Sequence, residues 1–218
     1  MRFIIGPPPD DTDFAPEHGG WQRLREMGPR TLMLIGSLAG VPLAALCSFA
    51  WSRISGTALT YTLPIDAMTA GRWTMLLLPV VILLFGGVFL ACLILVHELI
   101  HCLACPGFGL TSATVLGVWP SKLLPYGNHS GPVSLRRFIF VGCAPFLVLS
   151  VAPWLLAFLG GPYWPLLTLI SVMNALVCGG DAMICGMLLY QLPLRATLRN
   201  KGWDTWWRTE ANDAEPSS

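Results

Sequence analysis

Two histidines four residues apart, with a glutamate next to the first, stand in the stretch LVHELIHCLAC at residues 95–105. On a helix His97 and His101 lie about 40° apart around the axis, so both imidazoles lean toward one point and can ligate one metal ion. Glu98 is displaced around the axis, where its carboxylate can reach a metal-bound water without taking a coordination position. Zinc held by such a pair lowers the pKa of its water toward neutrality, and Glu98 is placed to accept the proton as general base.

The setting of these residues adds to the argument. They end a run with no charged residue from Trp73 to Val96, and ionisable groups at membrane depth cost several kcal/mol, so they mark function by default. The whole chain is apolar: of 218 residues 54% are hydrophobic and 11% charged, and its mean hydropathy is +0.63. That composition describes an integral membrane protein. A net charge of +1 and the lack of a basic stripe interleaved with aromatics argue against a nucleic-acid partner. Cys47, Cys92, Cys102, Cys143, Cys178 and Cys185 fall in apolar runs and Cys105 just past one, which suits reduced thiols better than a disulfide framework.

A bilayer-spanning helix needs about 20 predominantly apolar residues, and four stretches supply them. The first is Thr31 to Ser52, bracketed by Arg30 and Arg53; the second runs from Trp73 into the histidines. From Phe138 to Gly180 there is no charge, enough for two spans, about 137–159 and 163–191, if LGGPYWP at 159–165 turns the chain and Tyr163 and Trp164 sit at headgroup level. The fold class expected is therefore all-α, a polytopic membrane protein with about four transmembrane helices. Its parts are a polar leader at 1–30, rich in Pro, Asp and Gly and expected to be disordered, a transmembrane domain at 31–191 and a polar tail at 192–218. The tail carries Trp203, Trp206 and Trp207 among basic residues, which suits an interfacial segment. Lys and Arg gather in the leader, the second inter-span loop and the tail, so both termini are expected in the cytoplasm.

The third metal ligand is found by inventory. Between Ala67 and Trp203 the only acidic residues are Glu98 and Asp181. Asp181 lies in the fourth span, parallel to the second, and both residues fall in the later halves of their spans. A metal would stabilise a carboxylate there. His129, in the loop YGNHSGP, is an alternative, as are the thiolates of Cys102 and Cys105. Asn174, seven residues before Asp181 and on the same helical face, could hold a substrate peptide carbonyl or orient the Asp. Gly179 and Gly180 permit a close helix approach or a local break.

An HExxH at the end of one span, followed two spans later by an intramembrane Asp beside glycines, resembles the site-2 protease class of intramembrane zinc metalloproteases. More closely, HELIH, then RRFIFVGCAPFLVL with its Ala-Pro, then Asn174 and GGD are similar to the small bacterial membrane family called putative zincin peptidases. The likeness covers roughly residues 73–190. It implies a three-helix, site-2-protease-like core with Zn2+ on His97, His101 and Asp181, Glu98 as catalytic base, a substrate peptide in or beside the membrane, and a place in the bacterial inner membrane. The chain departs from site-2 proteases in having no Pro after Asn174 and in placing the Gly pair before the Asp. The competing expectation is a membrane protein that binds or conducts a divalent metal without hydrolysis, with all four ionisable residues as ligands. Span two offers no polar residues continuing toward the other face.

Overall fold

The computed structural model describes residues 1–55, 72–160 and 165–209. Most of the expected turn at 159–165, including Tyr163 and Trp164, lies outside the described residues. The long apolar runs become α1 (Pro29–Ser55) and α2 (Arg72–Ala104). Pro29 stands at the first helical position, where its missing N–H costs nothing.

Helix α3 (Leu135–Pro145) starts behind Ser134, whose hydroxyl accepts the Arg137 N–H at 3.4 Å, an N-cap. Pro145 has no N–H to give, and the next six residues, Phe146–Val151, wind as a π-helix before α4 (Ala152–Phe158) resumes the ordinary turn. Helices α5 (Pro165–Val177) and α6 (Gly179–Gln191) meet at Cys178 with a bend of 43°. Among the described residues, three helical segments are long and apolar enough to cross a membrane, and four if the bent pair is one span.

The glycines at the bend do two things. They flank the break, and they let α1 touch it: a Cβ on Gly36 would come within 2.8 Å of the Gly180 Cα, and one on Gly40 or Gly179 would strike the facing backbone. Gly36 and Gly40 are a Gly-x-x-x-Gly pair, the small-residue spacing that lets apolar helices approach backbone to backbone. Thus α1 packs on α5 and α6, while α2 packs on α3 and α5 and α3 on α6. Leu83, Phe85 and Phe158 remain 65–75% exposed on the outside, as residues facing lipid would.

The all-α expectation needs correction, because two small sheets cover one end of the helices. In the first, β3 (Thr114–Trp119) pairs antiparallel with β4 (Leu124–His129) and parallel with β1 (Arg2–Ile5). In the second the order is β2 (Gln22–Arg23), β7 (Asp204–Arg208), β6 (Thr197–Lys201), β5 (Val133–Ser134). Residues of the supposedly disordered leader and of the tail are therefore strands, because each finds a partner far along the chain that composition cannot reveal. Asp11 accepts from Arg199 at 2.9 Å and the Arg199 guanidinium lies 4.4 Å over the Phe14 ring, which fastens the leader to β6. Leu24, Leu135, Leu188, Leu192, Ala196 and Leu198 form the core beneath the second sheet, each fully buried Leu worth roughly 1.5–3 kcal/mol.

Candidate metal centre

The last three turns of α2 and the first turn of α6 bring His97, His101 and Asp181 together. Nε2 of His97 stands 3.1 Å from Nε2 of His101 and 3.1 Å from Oδ2 of Asp181, and Nε2 of His101 is 3.2 Å from Oδ1. Both imidazoles are buried, and the Asp181 side chain is 20% exposed.

The far nitrogen of each ring fixes what the near one can do. His101 Nδ1 is 2.8 Å from the carbonyl oxygen of Val141, which can only accept, so Nδ1 carries the proton. That carbonyl is available because the residue four further on is Pro145, which has no N–H to return to it. His97 Nδ1 is 2.9 Å from Asn174 Oδ1. The amide of Asn174 cannot be reversed, since its Nδ2 donates to the Pro145 carbonyl at 3.1 Å and to Ser150 Oγ at 2.9 Å. Ser150 and Ser171 lock the neighbourhood by donating to each other's carbonyls, both at 2.9 Å. His97 therefore also holds its proton on Nδ1.

In their neutral forms both Nε2 atoms then present lone pairs to a carboxylate, acceptors against acceptors at 3.1–3.2 Å. Asp181 Oδ2 is buried and has no hydrogen-bond donor. Such a triangle is repulsive unless a metal cation or a further proton sits in it. Two nitrogens bound about 2.05 Å from a tetrahedral ion stand about 3.3 Å apart, close to the observed separations. The donor set of two imidazoles and one carboxylate is that of a catalytic zinc site with one position left open. The residues fit the ion.

Cys178, at the bend, was absent from the sequence-based candidates. Its thiol lies 4.0 Å from His97 Nδ1 and 3.4 Å from Asn174 Nδ2, and donor atoms of His97, Cys178 and Asp181 fall within 4.8 Å of one another. The thiol is thus on the Nδ1 side of His97, whose nitrogen is already bonded to Asn174, and the Nε2 triangle is the better cradle. The clue in the sequence was its position between Asn174 and Asp181, four and three residues away.

Glu98 stands outside the triangle. Its Oε2 accepts the backbone N–H of Gly127 in β4 at 2.7 Å, and the other oxygen makes no hydrogen bond among the described residues. Gly127 must be small: a Cβ there would come to 3.1 Å from Cys102 Sγ and 3.3 Å from the Glu98 carbonyl oxygen. The loop 106–134 therefore contains a hairpin, β3 and β4, whose second strand lies on α2.

Asn174 is 0% exposed and its oxygen and amide are engaged with His97, Pro145 and Ser150, so in this arrangement it orients the His97 imidazole. His129 is likewise drawn elsewhere, with Nδ1 2.9 Å from Thr114 Oγ1, and burial lowers its pKa. Cys102 turns to the sheet, its thiol 3.6 Å from the Val115 carbonyl. Burial pushes the Cys105 thiol up to about 11.

The site opens on a cavity of about 550 Å³ lined by α1, α2, α5, α6 and β4. Membrane-length helices around a buried His, His, Asp triangle with a carboxylate beside it define the class, a helical membrane-type protein with a candidate metal centre. Residues 90–197 match the family model described as "Putative zincin peptidase", and the chain belongs to that family. The match runs from within α2 to the start of β6, so it takes in every residue of the triangle, Glu98 and Asn174. Neither a curated protein nor a solved structure matches the chain.

Proposed function

We propose that the protein is an intramembrane zinc metallopeptidase that hydrolyses a peptide bond within or beside the bilayer. The observation that carries this reading is the triangle formed by the two Nε2 atoms and the Asp181 carboxylate, with both Nδ1 atoms facing acceptors and Glu98 adjacent but engaged elsewhere. His97, His101 and Asp181 would hold the ion, which when bound supplies a Lewis-acidic charge for the scissile carbonyl. Val141 and Asn174 keep both imidazoles in the ligating tautomer. Glu98 takes a proton from the attacking water; the oxygen bonds to the carbonyl carbon, the C–N bond breaks, and Glu98 returns the proton to the leaving amine.

The apolar lining of the cavity suits a substrate segment drawn from the membrane. The second sheet joins leader and tail through β2 and β7, in keeping with an even number of spans and with both ends in the cytoplasm of a bacterial inner membrane. A cysteine placed at Gly161 should then react with an impermeant thiol reagent outside intact cells; reaction only after lysis would reverse the orientation.

The test of the chemistry is Glu98→Gln in purified, zinc-loaded protein. Turnover of a peptide substrate should fall at least 10²–10⁴-fold, roughly what a general acid–base group provides, while zinc stays stoichiometric by metal analysis. Loss of the ion in that variant would make Glu98 a ligand and favour metal binding or transport.

A further inference from the structure

Among the described residues the cavity wall carries three carboxyl groups, Glu98, Asp181 and Glu26, and no Lys or Arg. The first two belong to the candidate site, where a divalent ion, when bound, would offset both charges. Glu26, from the segment between β2 and α1, is not. Its Oε1 accepts the Thr205 N–H at 2.7 Å, a bond that fixes the carboxyl but does not neutralise it. The charged groups that act on it, Arg23 and Asp204, pair with one another at 2.6 Å and largely cancel.

Glu26 does not stand alone on its part of the wall. Asn128, Asn200 and Thr205 line the same cavity and are chained, Asn200 Nδ2 to Asn128 Oδ1 at 3.0 Å and Thr205 Oγ1 to Asn200 Oδ1 at 3.1 Å. The rest of the lining, Leu32 and Met33 of α1, Leu90 and Ile94 of α2, Met173 and Leu176 of α5, is apolar. The cavity therefore has an apolar body among the helices and a polar end under the sheets, with one unbalanced acid at that end.

We propose that Glu26 is a specificity-determining residue that binds a cationic group, a Lys or Arg side chain or a free amine, at the end of an otherwise apolar substrate segment. The proposal rests on the peptidase reading for its substrate class. A half-buried carboxylate whose neighbouring charges offset one another is costly, and an incoming ammonium or guanidinium supplies a partner. Burial raises the Glu26 pKa, the mark of a charge that gains when a cation arrives. Membrane segments meet this requirement of themselves, because their cytoplasmic ends are enriched in Lys and Arg. Such a segment would lay its apolar length along the helices and its basic end against Glu26, which sets how far it slides past the metal triangle.

The experiment uses the full chain in nanodiscs, zinc-loaded and carrying Glu98→Gln so that no probe is cut. The probes are leucine-rich peptides of about 20 residues, blocked at both termini, with one end residue Lys, Gln or Glu, and a fourth ending in Gln with a free N-terminal amine. Binding is read by anisotropy of a dye on the other end. The Lys probe should bind about tenfold tighter than the Gln probe, and Glu26→Gln should abolish the ratio. Glu26→Lys should invert it in favour of the Glu probe. If the free-amine probe alone gains, the cation is the substrate terminus; if the Lys probe gains, it is a side chain.

Equal binding of all probes, no binding of any, or a Lys preference that survives Glu26→Gln overturns the proposal. Failure of the peptidase reading looks different: a Glu26-dependent preference without cleavage by the parent chain would sink hydrolysis and leave the binding role standing.

Discussion

The two halves of the candidate site are held in opposite ways. The metal triangle is built from helices and backed by a buried network: Val141 and Pro145 on α3, Ser150 in the π-helix, Ser171 and Asn174 on α5. Every imidazole proton there has a named acceptor. Glu98, three residues from one ligand and one from the other, is tethered by a single backbone N–H from a strand. On the proposed reading the donors must keep a geometry good to a few tenths of an ångström, whereas the base must stay free to exchange a proton and to accommodate substrate beside β4. Redundancy suits the first task and a lone tether the second.

The sharpest way to break this comparison is to remove a triangle donor. Asp181→Ala should weaken zinc binding beyond the roughly 10–100-fold that outer-shell partners contribute, and Asp181→Asn nearly as much, by competition with a chromogenic chelator. His129→Ala should leave the affinity where it is; the reverse pattern would move the third ligand to β4. Next in size, Asn174→Leu should cost roughly 10–100-fold in zinc affinity, while Asn174→Asp, still an acceptor for His97 Nδ1, should retain most of it. Equal losses in the two variants would mean that the hydrogen bond is not what matters.

Gly127→Ala probes the other half. The added methyl must push β4 off α2 by a few tenths of an ångström, so turnover should fall about tenfold through misplacement of Glu98, with zinc affinity unchanged. A matching loss of zinc would show that the halves are one mechanical unit. The smallest effect is expected from Pro145→Ala: the new N–H competes with His101 for the Val141 carbonyl, weakening zinc a few-fold, of the order of one hydrogen bond.

The helical half was also the more legible half. His97, Glu98 and His101 announce themselves by spacing, and the acid inventory reduces the choice of partner to Asp181. Gly179 and Gly180 signal either a break or a close approach, and the structure has both. Gly36 and Gly40, their partners on α1, carried a readable small-residue spacing that composition-based span counting passes over. What could not be read is the strand half. β3 and β4 are short, interrupted by Gly and Pro, and the sheet they form is completed by β1 from the far end of the chain. Pro145 reads as a helix breaker, and that it frees a carbonyl for His101 is visible only once α2 and α3 lie side by side. Asn174 was placed on the right face, but which neighbour it serves depends on a π-helix that no local pattern announces.

The distribution of strands along the chain also sets a timetable for synthesis. The triangle's donors are all present once residue 181 has been made, but β7, which completes the second sheet by pairing with β2, ends at Arg208. At about 5–20 residues per second, a ribosome needs another one to five seconds to reach it. Thr205, which fastens Glu26 at the cavity wall, belongs to that last strand. A nascent chain has thus made all three proposed metal donors before the strand that fastens Glu26, so the proposed substrate cavity is completed only once residue 208 has been made.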